Sequence, residues 1–247
     1  MIKYILFLIL ILFIKKSFQK TESFVNISYN PEINYVFWTG GYDSTYNICE
    51  SLINKKKIVQ PIYFLYNLDN ISLKKLWVRR NRKQELDAMK SIRKKIIKDF
   101  PHLENNLLPT WYIKKDVPDK VFTNYFLRHQ LFPTKRKVHQ YEHLSRFTFN
   151  TQIPVDIGVI GIHEGSQFIK FLKKNLAKSN NNNIIPFNHP MKYLRFPLFG
   201  LSKEKMLDNA EKSNFDNILK MTWSCWFPRT NGEPCGMCPM CRERIIK

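Results

Sequence analysis

Four cysteines crowd the end of this chain: Cys225, Cys235, Cys238 and Cys241, spaced C-x9-C-x2-C-x2-C. Two overlapping Cys-x-x-Cys steps set thiolates at the separation a tetrahedral ion needs, with Zn–S bonds of ~2.3 Å. Gly236, directly after Cys235, suits a metal-binding turn that calls for a positive φ. Pro228, Pro234 and Pro239 stiffen a loop with too little apolar surface to order itself. We read the four thiols as ligands of a structural Zn²⁺, since a closed four-thiolate site has no open position for substrate. Disulfides, or a redox Cys-x-x-Cys pair, are the competing readings; the redox pair normally opens a helix after a strand. Cys49 lies far away in an expected helix and reads as a small buried apolar residue. Thiols that hold zinc point to a reducing compartment, the cytosol.

The second group is Thr39-Gly40-Gly41-Tyr42-Asp43-Ser44-Thr45. The apolar run Tyr35-Val36-Phe37-Trp38 before it reads as a buried parallel strand, and Tyr46 to Ile53 after it as a helix. Gly40 and Gly41 allow a backbone to approach an anion with no Cβ in the way. Thr39, Ser44 and Thr45 offer hydroxyl donors, and the helix start adds unpaired N–H groups and a positive dipole end. Asp43 beside an anion makes sense as a holder of Mg²⁺ or as a cap of the turn. Together these residues make a pyrophosphate cradle, although no Walker-type G-x-x-x-x-G-K is present. An ordinary strand–helix connection is the alternative.

The surrounding pattern supplies the elements that must position both groups. Val59 to Tyr66 is a second apolar strand, with Pro61 arguing against a central place throughout. Residues 76–100 carry a basic helix with Leu86, Met89, Ile92, Ile96 and Ile97 at helical spacing and a solvated charged face. Asp156 to Ile162 reads as a third strand ending at His163-Glu164-Gly165, followed by a helix from Phe168 to Leu176. Leu201 to Lys212 is a helix N-capped by Ser202. Such alternation predicts an α/β fold with a doubly wound parallel sheet. Residues 101–150, rich in aromatics and carrying His129, His139 and His143 without metal spacing, read as an irregular insertion. The expected organisation is an apolar segment and linker over 1–30, a nucleotide-handling domain over 31–221, and a zinc tail over 222–247.

The 247 residues carry a formal charge of +20, and four thiolates around one Zn²⁺ change this little. Such a balance attracts phosphates, tRNA or other nucleic acid, or an anionic membrane surface. Abundant Lys, Asn and Ile from a biased genome would also produce it. From Met1 through Ile14 the chain is apolar save for Lys3, and Lys15 and Lys16 follow. That stretch falls short of the ~20 residues of a spanning helix, and no small-residue cleavage site follows it. We read it as a weak membrane anchor on a cytoplasmic protein. An apolar helix docked on the domain or a partner, or an inefficiently translated extension, are the other readings.

The loop Thr39 to Thr45 closely resembles the Ser-Gly-Gly-x-Asp-Ser loop of the N-type ATP pyrophosphatases, the PP-loop family with an adenine nucleotide alpha-hydrolase-like fold. Phe196-Pro197-Leu198 with Leu201-Ser202-Lys203-Glu204, then Thr222-Trp223-Ser224-Cys225 and the cysteine tail, resemble its 7-cyano-7-deazaguanine synthase (QueC-like) branch. These patches keep their order and cover roughly residues 34–72 and 190–246. The resemblance implies an ATP-dependent carbon–nitrogen ligase that activates a carboxylate and combines it with ammonia, using ATP, Mg²⁺ and Zn²⁺. It implies that Thr39, Gly40, Gly41, Tyr42, Asp43, Ser44 and Thr45 hold the nucleotide, with Asp43, Ser44 and Lys203 serving catalysis. An exposed lysine at a helix start is the plain reading of Lys203. Departures stand beside the likeness. Asn81 and Arg82 replace an Arg-His pair before Glu85-Leu86, and a Gly-Tyr-Pro-Asp-Cys-Arg recognition stretch after the third strand is missing. A tRNA-modifying pyrophosphatase and a non-catalytic zinc-containing adaptor are the other functions considered.

Overall fold

The computed structural model describes residues 28–65, 81–113, 140–161, 167–176, 189 and 191–242. The chain divides into two units, Met1–Asn30 and Pro31–Lys247, and the second contains every element named below.

In chain order these are β1 (Ile33–Phe37), α1 (Tyr42–Cys49), β2 (Ile58–Phe64), α2 (Arg82–Asp99), β3 (Trp111–Ile113), α3 (Gln140–Thr151) and β4 (Val155–Asp156). Then come α4 (Gln167–Leu176), β5 (Leu194–Arg195), α5 (Lys203–Lys212), α6 (Asp216–Lys220) and α7 (Pro239–Arg242). A π-helical turn, Glu50–Asn54, extends α1, and a 3-10 turn, Pro101–Asn106, follows α2. The strands form one parallel sheet in the order β3-β2-β1-β4-β5, the doubly wound arrangement expected. Strand order reverses between β1 and β4, and ligands of such sheets bind beyond the carboxyl ends of the strands at that reversal.

Alternation along β1 sorts its side chains onto two faces. Val36 and Trp38 join Tyr46, Ile48 and Leu52 of α1, Met89, Ile92 and Ile96 of α2, and Met206, Phe215 and Leu219 from α5 and α6 in one core. On the other parity, Phe37 meets Phe64 and Phe147, whose ring centroids lie 5.6 and 6.1 Å away. A buried polar cluster ties β1, β4 and β5 together. Arg195 Nε lies 2.7 Å from Asp156 Oδ1, Arg195 Nη2 donates to Asn34 Oδ1, and Asn34 Nδ2 donates to Asp156 Oδ2 and Ser51 Oγ. Asp156 is buried while Arg195 stays 28% exposed, so disrupting the pair costs less than the ~3–5 kcal/mol of a fully buried one.

Several elements differ from the sequence reading, each for a local reason. Helix α1 starts at Tyr42, so only Thr39 to Gly41 are loop. Strand β2 lies inside the sheet despite Pro61. The missing N–H falls between the Val59–Leu107 bridge and the Ile62–Trp111 pairing, where β3's chain leaves the ladder. Gln60 Nε2 fills the gap by donating to the carbonyls of Pro61 and Pro109. Strand β4 stops at Asp156 because the chain turns through Gly158 and Gly161, the latter at φ +75°. Within residues 101–150, read as an irregular insertion, β3 and most of α3 are regular elements, and residues 114–139 lie outside the described residues. His143 in α3 is buried with Nδ1 2.8 Å from Arg146, whereas His129, His139, His163 and Glu164 lie outside the described residues. Among the described residues no helix is long and apolar enough to cross a membrane, and the segment from Met1 to Ile14 lies outside them.

Candidate functional site

Trp38 continues β1 by donating its backbone N–H to Ile62 O at 2.9 Å. Gly40 then takes φ +68°, the left-handed turn that glycine adopts without strain. Gly41 is the N-cap of α1, and no side chain caps the helix there. Its first-turn N–H groups are therefore unclaimed by a cap and carry the positive end of the dipole.

The loop residues divide by what their side chains do. Ser44 Oγ donates to Gly41 O at 3.2 Å, accepts from Thr39 N at 3.3 Å, and lies 3.4 Å from Thr39 Oγ1. Thr39 is exposed and Ser44 half-buried, so these two hydroxyls converge at an accessible edge. Thr45 turns inward: it is fully buried and its hydroxyl accepts from Trp38 Nε1 at 3.0 Å. Asp43 is half-buried on the first turn. Burial, and then the charge of Asp43, push the Tyr42 phenol up to about 12. Lys203 begins α5, whose cap Ser202 accepts from Lys205 N at 3.1 Å. This helix flanks α1, with Asn209 Nδ2 donating to Tyr46 Oη at 3.1 Å.

Three distant segments complete the loop: the sequence placed Glu85 and Trp223 in family-like patches without joining them to it, and did not single out Gly158. A Cβ at Gly158 would sit 2.9 Å from Ser44 N and 3.0 Å from Asp43 C, so only glycine leaves the start of α1 open on that side. A Cβ at Gly40 would meet Glu85 O at 3.0 Å, and Glu85 itself is held by Tyr63 Oη at 2.7 Å and Asn81 Nδ2 at 2.8 Å. Trp223 N donates to Gly40 O at 2.9 Å, tying the cysteine tail to the turn. The scarcity of glycine, 8 in the chain, was the available signal for Gly158, but an apolar strand absorbed it. Beside the loop, at the ends of β1, β2 and β3, a cleft of ≈ 490 Å³ is lined by Trp38, Leu65, Arg82, Lys90, Arg93 and Tyr112 among others.

In the tail, the Sγ atoms of Cys225, Cys235, Cys238 and Cys241 all lie within 4.8 Å of one another, and those of Cys235 and Cys241 are 3.9 Å apart. A tetrahedral ion with Zn–S bonds of ~2.3 Å sets its ligands ~3.8 Å apart, so the thiol set fits a closed four-sulfur centre. The backbone N–H groups of Met237 and Cys238 donate to Cys235 Sγ at 3.4 and 3.3 Å, and the Cys235 N–H donates to Cys225 Sγ at 3.2 Å. The Met237 N–H first, and then that of Cys238, pull the Cys235 thiol down to about 6. Gly236 takes φ +73° with open space where a Cβ would lie, so its role is conformational. Trp223, Trp226 and Phe227 pack around the sulfurs, and Trp223 Nε1 donates to Cys225 O at 2.8 Å. Cys49 is completely buried, and burial raises its thiol well above the usual range, as an inert apolar residue requires.

No curated protein matches the chain. The family model described as queuosine biosynthesis protein QueC matches residues 165–246, from just before α4 through the cysteine knuckle and leaving the loop at Thr39 outside. Over that third of its length the chain resembles the QueC-like branch of the PP-loop family; the fold is a parallel α/β sheet, and the four clustered thiols could hold a metal ion.

Proposed function

We propose that the protein is an ATP-dependent ligase that converts 7-carboxy-7-deazaguanine, or a related planar acid, into its nitrile with ammonia. The observation that carries this reading is the cradle between Gly40 and Ser44, kept open by the absent side chain of Gly158 and joined to the QueC-like tail by the Trp223–Gly40 bond.

In this reading a carboxylate oxygen of the acid attacks the α-phosphorus of ATP, the bond to the β-phosphate breaks, and pyrophosphate leaves. Ammonia adds to the acyl carbon, a proton is lost, and AMP departs to give the amide. The amide oxygen then attacks the α-phosphorus of a second ATP, the bond to its β-phosphate breaks and a second pyrophosphate leaves, and loss of AMP and both N–H protons gives the nitrile. The first-turn N–H groups of α1 and the hydroxyls of Thr39 and Ser44 receive the leaving pyrophosphate, where fixed donors match developing charge. Asp43 holds Mg²⁺, which neutralises phosphate charge. Lys203 is assigned to the phosphates on motif position. Four thiolates make Zn²⁺ the natural occupant of the knuckle, in a structural role.

Mass spectrometry of the full chain incubated with Mg-ATP, ammonium and 7-carboxy-7-deazaguanine tests this. The expected products are the nitrile together with AMP and pyrophosphate. AMP without nitrile would keep the loop assignment and reject the acid, and no AMP with any planar acid would reject the ligase.

A further inference from the structure

Helix α2 carries an unbalanced charge that the ATP reading does not use. Lys83, Lys90, Lys94 and Lys98 are all exposed, and at 100° per residue they fall on one face. They span ~22 Å along the axis, with steps of ~6 Å between the last three. None of the four has an ion-pair partner among the described residues. Of the helix's acids, Glu85 is engaged by Tyr63 and Asn81, and Asp99 pairs with Lys95 at 3.0 Å. Asp87 alone interrupts the face. On α5, by contrast, Lys203, Lys205 and Lys212 alternate with Glu204, Asp208 and Glu211.

Both ends of the face continue in kind. Over the first half of α2, Arg82 and Lys90 line the cleft beside the loop on either side of Asp87, together with Tyr112, which is 49% exposed. At its far end, the 3-10 turn Pro101–Asn106 packs against both α2 and the π-helical turn Glu50–Asn54. The next residues, Lys55, Lys56 and Lys57, are exposed there. A lipid surface does not suit this helix, because its apolar side, Met89, Ile92 and Ile96, is sealed in the core. Interfacial helices need that side free.

We propose that the lysine face of α2, from the cleft to Lys55–Lys57, binds the backbone of a single-stranded nucleic acid, with Tyr112 as a stacking platform for one base. Such sites combine a cationic track with exposed aromatic rings.

Fluorescence anisotropy of end-labelled single-stranded RNA and DNA oligonucleotides with the full chain, across a salt series and without ATP, tests the proposal separately from the ligase. The Lys83→Ala/Lys94→Ala/Lys98→Ala variant should bind ~10-fold or more weakly, with the slope of log affinity against log salt smaller by ~2. Tyr112→Ala should cost roughly 5-fold or more from lost stacking. Melting temperatures should match the parent, and the tighter of the two oligonucleotides identifies the natural ligand. The control Lys170→Ala/Lys173→Ala/Lys174→Ala on α4 should stay within ~2-fold, as it removes the same charge away from the cleft. Equal loss in that control would show diffuse attraction and overturn the proposal. Undiminished binding by the α2 variant, or binding of the parent to phosphatidylserine vesicles but to neither oligonucleotide, would overturn it too.

Discussion

The cysteine knuckle and the Thr39–Ser44 loop are held by opposite kinds of order. Every sulfur of the knuckle lies between Cys225 and Cys241, and the N–H groups that donate to them, from Cys235, Met237 and Cys238, belong to the same short span. The loop takes only its hydroxyls and its turn from neighbouring residues. Its walls come from Gly158 after β4, Glu85 on α2 and Trp223 beyond α6. A site built within one turn depends on metal and spacing, whereas a site built at a strand-order reversal depends on the whole sheet.

That contrast predicts different failures. Cys238→Ser should have the largest effect, because metal-binding energy is part of folding energy in a closed thiolate site. We expect lost zinc, measured by metal analysis, and a fall of ~4 kcal/mol or more, which lowers the melting temperature by about 10 °C. A variant that keeps zinc and melts like the parent would place Cys238 outside the metal site. Asp43→Ala should do the reverse: AMP formation falls ~100-fold or more, while zinc content and melting temperature stay at parental values. Loss of zinc in that variant would dissolve the distinction between the two regions.

The bond between them can be weakened on its own. Thr222 Oγ1 donates to Leu219 O at 2.6 Å in a buried position just before Trp223. Thr222→Val should cost ~1 kcal/mol of stability and lower ATP affinity several-fold with zinc retained. Affinity unchanged at that cost in stability would show that the tail does not steady the turn.

The smallest effect concerns neither region. Burial lowers the His189 imidazole to about 4, against an ordinary value of 6.5. Between those values the unfolded chain binds more protons than the folded one, so stability should fall as pH drops through that window and be level above it. Urea titrations should show this decline flattened in His189→Gln; an identical decline would assign it elsewhere.

How much could be read beforehand follows the same division. The four thiols and Gly236 were readable because C-x2-C spacing is itself the geometry. Thr39 to Ser44 were readable as a strand–turn–helix carrying hydroxyls. Thr45, grouped with them as a donor, proved to be Trp38's partner in the core, a distinction no local pattern carries. The apolar run after Asp156 looked like a buried strand because both a strand and a tightly packed turn bury such residues. Pro61 looked like an edge signal because the gap that tolerates it lies in β3's chain, some fifty residues away. Helix α3 was missed because it is buried nearly all round, Glu142, His143 and Arg146 included, leaving no polar stripe to give a helical period.

Calorimetric titration of the full chain with Mg²⁺ and a non-hydrolysable ATP analogue, beside its Gly158→Val variant, decides whether the loop is a nucleotide site. A valine at 158 would press on Ser44 N and Asp43 C, which are backbone atoms and cannot swing aside. We expect one analogue bound per parent chain and affinity at least ~100-fold weaker in the variant, comparable to losing a fixed oxyanion donor. Equal affinity in the two proteins, or no binding by the parent, would contradict the assignment of the Gly40–Ser44 cradle.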